Sequence, residues 1–190
     1  MNKDQELIKK IRSGDKESFS VLVKNLLPTA FKTSFLILKS KEHAEDAIQN
    51  ALEGAYISIM KNKEITNFRA WFFSLVYSRS IDIYRKINRR IHNDIEHAEV
   101  QVTDSDPSAQ QVVIQKENKA EVIGYIMKLK REQSLPLYLH YYENLTVKEV
   151  SLILGENENT VKTRMKRGKQ QLAQIMKQSH ILQEVKVNGI

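Results

Sequence analysis

The sequence predicts an all-α protein of two small helical domains joined by a flexible acidic linker, the C-terminal domain carrying a helix-turn-helix. Three observations carry that prediction. Glycine and proline are scarce, 6 and 3 in 190 residues, so little of the chain is punctuated for tight turns. Apolar residues recur at three- and four-residue spacing over long segments, the pattern of helices that bury one face. One stretch breaks the pattern: from Asn93 to about Gln111 it holds Asp94, Glu96, Glu99, Asp104, Asp106 and Pro107 without a Lys or Arg. It reads as a linker over 93–112, separating a domain over 1–92 from one over 113–178, with 179–190 as a C-terminal tail.

The helices fall near 3–13, 15–38, 41–61, 67–91, 115–130, 134–143, 146–154 and 158–178. The first has Leu7, Ile8 and Ile11 as its apolar edge, Ser13 and Gly14 as punctuation, and Asp15 as the cap of the next. Pro28 lies inside the second segment and predicts a kink or break there. The third shows Ala44, Ala47, Ile48, Ala51, Leu52 and Ala55 on one face, with Glu45, Asp46, Gln49 and Glu53 outside. In the fourth, Trp71, Leu75 and Ser78 share one line while Arg79, Asp82, Arg85, Lys86, Arg89 and Arg90 are free to be exposed. Ser134 is expected to cap the sixth, which puts Pro136 in its first turn, where a missing N–H costs no intrahelical bond.

The last two helices form the most informative unit, LTVKEVSLILGENENTVKTRMKRGKQQ. Gly155 follows an apolar run and can end a helix in the left-handed conformation. Asn157 is a good N-cap for the next helix, with Glu158 favoured in its first turn by the helix dipole. Val161, Met165, Leu172 and Ile175 recur at helical spacing to face a core, and no acidic residue occurs from Asn159 to Lys177. Asn159, Thr160, Lys162, Thr163, Arg164, Lys166 and Arg167 are then the DNA-facing candidates, since a major groove admits a helix and offers base edges to amide, hydroxyl and cationic groups.

Composition agrees without deciding. Lys and Arg total 30 against 23 Asp and Glu, a formal charge of +7 that suits a polyanionic partner. Cysteine is absent, which removes disulfides and thiolate metal sites. The N-terminus lacks the continuous apolar core of a signal peptide, and no run reaches the roughly 20 apolar residues of a membrane span, so a cytoplasmic protein without membrane insertion is expected. Enzymatic readings find little support: the five His residues make no close ligand pair, Glu45 and Asp46 diverge on their helix, and GxGxxG and GxxxxGK are both missing. No cofactor or metal is expected.

In the N-terminal domain, FRAWFFSLVYSRSIDIYRKINRR sets aromatic rings beside a basic track, the combination single-stranded nucleic acid requires. Trp71, Phe72 and Phe73 suit a core better than a stacking platform, which leaves Arg85 to Arg90 as the better DNA candidate. The acidic face of the 41–61 helix is able to dock a basic partner helix.

The order AEDAIQNALEGAY, FRAWFFSLVYSRSIDIYRK, acidic linker, YYENLTVKEVSLILGENENTVKTRMKRGK resembles the bacterial sigma-70 family, specifically the compact extracytoplasmic-function (ECF) sigma factors, over about residues 5–92 and 113–178. The resemblance implies a region 2 domain for polymerase docking, minus-10 recognition and melting, and a region 4 domain for minus-35 recognition. It implies that Glu45, Asp46, Gln49 and Glu53 meet the coiled coil of the RNA polymerase largest subunit. Lys61, Lys63 and Asn67 of the following loop, with Ser78, Arg79, Asp82, Arg85 and Lys86, would capture the melted minus-10 element, with a base flipped into a loop pocket. The 159–167 residues would read minus-35 DNA, the linker would thread the RNA channel, and an anti-sigma factor would be a further partner. Ser78 stands where asparagine is frequent and Tyr77 where arginine is common, which leaves the preferred minus-10 bases open. The rival reading is a stand-alone helix-turn-helix regulator of duplex operator DNA; a helical adaptor fits less well, having no need of a basic track.

Overall fold

The computed structural model describes the backbone of residues 3–95 and 117–188 and side-chain environments over 3–89 and 122–178; among them every regular element is a helix. The chain divides into two compact units. The first contains α1 (Lys3–Arg12), α2 (Glu17–Val23), a 3-10 turn (Lys24–Leu26), α3 (Leu27–Leu38), α4 (Lys41–Met60) and α5 (Phe68–Ile95). Helices α6 (Glu117–Met127), α7 (Arg131–Tyr141) and α9 (Glu158–Asn188) build the core of the second, with α8 (Val147–Leu154) leading into α9.

In the first unit the local signals act as expected. Gly14 takes φ +102 after α1. The Asp15 carboxylate then accepts the N–H groups of Glu17 (3.0 Å) and Ser18 (3.2 Å) and the Ser18 hydroxyl (2.7 Å). The Ser18 bonds favour the ionised form and hold the Asp15 pKa below its ordinary value. The chain breaks before Pro28 as the 3-10 turn, and α3 restarts with that proline in its first turn. An 18-residue window within Glu17–Leu38 has a mean hydropathy of 1.3, long and apolar enough by composition to cross a membrane, but Lys24, Asn25 and Lys32 interrupt it and the 3-10 turn divides it into two helices. Half of it is buried in the protein, where Leu22, Val23, Ala30, Leu36 and Ile37 join the core.

Ala44, Ala47, Ala51, Ala55 and Ile59 of α4 are fully buried, while Ile48 and Leu52, expected beside them, are half-buried. Small side chains on this face let α4 lie close to α3 and α5. Phe68, Phe72, Phe73 and Val76 of α5 fill the space behind them. The buried Ser80 hydroxyl donates to the Val76 carbonyl (2.8 Å) and meets the Ser34 hydroxyl (3.1 Å), a satisfied polar link between α5 and α3.

In the second unit α7 starts at Arg131, three residues before the expected cap Ser134, and Pro136 lies inside it. The N–H groups of Gln133 and Ser134 already bond the Lys130 carbonyl, and the Ser134 hydroxyl turns back to Arg131. Burial of Leu135, Leu137, Tyr138 and Leu139 offsets the bond the proline removes, so tertiary packing sets this boundary. Helix α8 opens with a reciprocal cap: the Thr146 N–H bonds Glu149 Oε2 (2.8 Å), and the Glu149 N–H bonds Thr146 Oγ1 (3.2 Å).

Two helices outrun their expected ends. Helix α5 enters the 93–112 segment as far as Ile95, no glycine or proline intervening; the rest of the expected linker, 96–112, lies outside the described residues, as does 113–116. Helix α9 continues to Asn188, so most of the expected tail 179–190 is helical backbone, ending before Gly189.

Gly168 is the close-contact point of the second unit. A Cβ there would sit 2.8 Å from Leu137 Cδ1 and 3.1 Å from Gln133 Cβ, whereas one at Gly54 would meet Leu75 and Arg79 at an ordinary 3.5 Å. Gly168→Ala should therefore destabilise the protein by about 1–3 kcal/mol through overpacking, while Gly54→Ala should be neutral or stabilise by up to about 1 kcal/mol through helix propensity. Thermal melts of both variants, followed by circular dichroism, check the contrast.

Candidate functional site

Three surfaces carry the residues singled out above. On α4, Glu45, Asp46, Gln49 and Glu53 are all exposed. At about 100° per residue they occupy one arc of the helix, nearly opposite the alanine stripe. Lys41 reaches Glu45 at 3.9 Å across solvent, a pair worth little, and the Asn50 side chain bonds the Asp46 carbonyl, leaving the Asp46 carboxylate outward. The arc is an acidic strip on a chain with an excess of positive charge.

The second surface joins the loop after α4 to one face of α5. Ser78, Asp82, Arg85 and Lys86 are exposed and Arg79 is half-exposed; their spacing places all five in one arc of about 120°. Exposed Arg89 extends it, and the side chain of Arg90 lies outside the described residues. Arg79 and Asp82 approach to 3.9 Å. Phe72 and Phe73 are core residues, whereas Trp71 is half-buried on the same line as Ser78, with the Lys63 ammonium 5.7 Å from its ring centre. Trp71 thus bridges loop and helix, whereas its residue type favours the core that Phe72 and Phe73 occupy.

Within the loop, Lys61 and Lys63 are exposed, and Asn67 serves the structure directly, because its Oδ1 accepts the Ala70 N–H (3.0 Å) and so caps α5. Asn62 takes φ +55, and Ile65 is buried as the loop's anchor. Donors from α1 complete the fastening. Gln5 Nε2 donates to the Ile65 carbonyl (2.6 Å), and Arg12 donates through Nη2 to Lys63 (2.8 Å) and Nε to Ile59 (3.2 Å). Nothing in the local pattern around Gln5 or Arg12 announces contacts 47 to 60 residues away.

The third surface is the start of α9. Gly155 takes φ +66, and Asn157 Oδ1 accepts the Asn159 N–H (2.8 Å), the cap expected there. Val161 and Met165 are buried, while Asn159, Thr160, Lys162, Thr163, Lys166 and Arg167 are exposed. Lys162 lies 4.0 Å from Glu158, and the Thr163 hydroxyl turns back to the Asn159 carbonyl (2.8 Å). Arg164 differs from its neighbours: it is half-buried and pairs with Glu156, bracing the turn against the helix. Lys169 packs over Tyr141, its ammonium 5.8 Å from the ring centre. Among the described residues no group of three or more His, Asp or Glu side chains is placed to hold a metal ion.

Comparison with known proteins matches both units to family models. Residues 22–90 match "Sigma-70 region 2" and residues 119–172 match "Sigma-70, region 4". The ECF RNA polymerase sigma factor SigW of Bacillus subtilis (strain 168) is 26% identical over 172 residues, spanning 87% of this chain and 92% of that protein. The ECF RNA polymerase sigma factor SigM of the same organism is 30% identical over 136 residues, spanning 70% and 80%. Among solved structures, the sigma factor RpoE in complex with the anti-sigma factor NepR from Bartonella quintana has the same fold, with a TM-score of 0.64 at 18% identity, covering 85% of this chain and 98% of that one.

The pairing of Arg164 generates a contrast within α9. Arg164→Ala should lower stability by about 1 kcal/mol, because Glu156 loses a half-buried partner, while Arg167→Ala should stay within about 0.5 kcal/mol of the parent. Urea unfolding of the two variants measures the difference.

Proposed function

The chain is an ECF member of the sigma-70 family, and from that membership we propose how its three surfaces divide the work of a factor that binds RNA polymerase core and directs promoter recognition, melting and initiation. The observation that carries the division is the opposition of charge on separate helix faces: an acidic arc on α4, basic arcs on α5 and α9. Glu45, Asp46, Gln49 and Glu53 dock a basic helical element of polymerase. The Lys61–Asn67 loop and Ser78, Arg79, Asp82, Arg85 and Lys86 take the melted minus-10 strand, with Trp71 and Lys63 between them. In this division Asn67 shapes the pocket as a cap as well as lining it.

Asn159, Thr160, Lys162, Thr163, Lys166 and Arg167 read minus-35 duplex, and Arg164 supports them through the turn. Residues 1–92 act as the polymerase and minus-10 domain, 93–112 as the acidic connector, 113–178 as the minus-35 domain. The role is regulatory and non-enzymatic, and it is exercised in the cytoplasm, where promoter DNA is. An anti-sigma factor is a further partner, in keeping with the complex in which RpoE of Bartonella quintana is seen. The operator-binding rival leaves the acidic arc of α4 and the loop-to-α5 surface without a use.

Charge reversal tests the docking face. Asp46→Lys with Glu53→Lys should weaken co-purification with core polymerase at least tenfold and leave the melting temperature within a few degrees, since both side chains are exposed. Unchanged co-purification would remove this face from the assignment. For α9, Arg167→Ala or Lys162→Ala should cost about 1–3 kcal/mol of promoter affinity with relaxed specificity at one base pair if the side chain holds a base, or a uniform loss if it holds phosphate. Binding to promoter variants by fluorescence anisotropy distinguishes these, and no effect from either would remove α9 as the reader.

A further inference from the structure

Resting on the reading of the Lys61–Asn67 loop as the element that receives an unpaired base, we propose that Gln5 and Arg12 of α1 are positioning residues that hold the loop in its receiving shape. The loop leaves α4 through Asn62 at φ +55 and regains the core only at Ile65. The Lys63 N–H bonds back to the Ser58 carbonyl of α4 (3.1 Å), and α1 supplies donors for the carbonyls of Lys63 and Ile65. Arg12 spans the Ile59 and Lys63 carbonyls with two arms of one guanidinium, and Gln5 holds the Ile65 carbonyl at 2.6 Å. A planar fork suits two carbonyls four residues apart; an ammonium, a single point on a flexible stem, does not hold both in one geometry.

The helix that carries the donors is anchored in the core. Gln5 and Arg12 are seven residues apart, two turns on one face of α1, and Ile8 and Ile11 between them are 1% and 0% exposed. With the carbonyls tied inward, Lys61, Lys63, Glu64 and Thr66 remain exposed, and Lys63 lies over Trp71. A loop ordered before it meets its ligand loses less conformational freedom on capture, and a pocket of one shape discriminates among bases where a mobile one does not. Gln5 and Arg12 act through the backbone of the loop, not by touching DNA.

The test uses the full chain bound to core polymerase, with Gln5→Ala, Arg12→Ala, the double variant and Arg12→Lys. Fluorescence anisotropy reads binding to single-stranded minus-10 oligonucleotides varied one base at a time, and hydrogen exchange reads the amides of residues 63–66. The double variant should bind the preferred oligonucleotide about tenfold more weakly, with base preference flattened at one position and loop exchange accelerated. Core polymerase affinity and minus-35 duplex binding should be unchanged, and Arg12→Lys should recover only part of the loss. The single variants should show smaller shifts in the same direction, and they carry the test if the double variant fails to fold. Wild-type base preference in folded variants whose loop exchanges faster would overturn the proposal, as would an equal loss over all sequences. Absence of single-strand binding by the parent protein would overturn the strand-capture reading itself, and this inference with it.

Discussion

Small side chains let the helices within each unit approach closely, and that approach decides which helix faces are left to solvent. Ala44, Ala47, Ala51 and Ala55 are fully buried on one side of α4, and the packing of α3 and α5 against that helix commits its opposite side to solvent. The acidic arc is therefore a consequence of the core: a helix buried on alanine leaves its long polar side chains on one outward strip. Gly168 does the equivalent for α9, which comes so near α7 that a Cβ there would crowd Leu137 and Gln133, leaving Lys166 and Arg167 on the outer side. In each unit the smallest residues determine where the most charged ones stand.

Electrostatics then separates the surfaces by partner. A net charge of +7 favours approach to nucleic acid in general and does so less as salt rises. It does not distinguish polymerase from DNA; in the proposed division of the surfaces the local arrangement does. The α4 strip repels phosphate and attracts a basic helix, and the α5 and α9 faces do the reverse. Asp82 within the α5 face moderates it through Arg79, and Glu156 withdraws Arg164 from the α9 face, so fewer cations are presented than the sequence contains.

Much of this is legible in the sequence where the signal is local. The turn between α8 and α9 is specified by Gly155 and Asn157, both acting within two residues of themselves, and the structure uses them in that way. The break before Pro28 and the cap at Asp15 are of the same kind. What stays illegible depends on contacts distant in sequence. The early start of α7 follows from burial of Leu135 to Leu139, which outweighs Pro136. Gly168 looks like an ordinary helical glycine until α7 is beside it, and Gln5 and Arg12 look like solvated polar residues until the loop after α4 folds onto them. Arg164 groups with its basic neighbours in the sequence because its partner precedes the helix rather than lying one turn along it.

A sigma factor confers promoter-specific initiation on polymerase by opening DNA, and run-off transcription with sigma-free core polymerase measures that activity. With the purified protein added, and templates drawn from the genome that encodes it, transcripts should start at discrete sites. Permanganate should there detect unpaired thymines around minus 10, both signals declining as salt rises. Tight binding to duplex DNA in the absence of polymerase, with no discrete transcript and no permanganate-reactive bubble in its presence, would instead mark an operator-binding regulator.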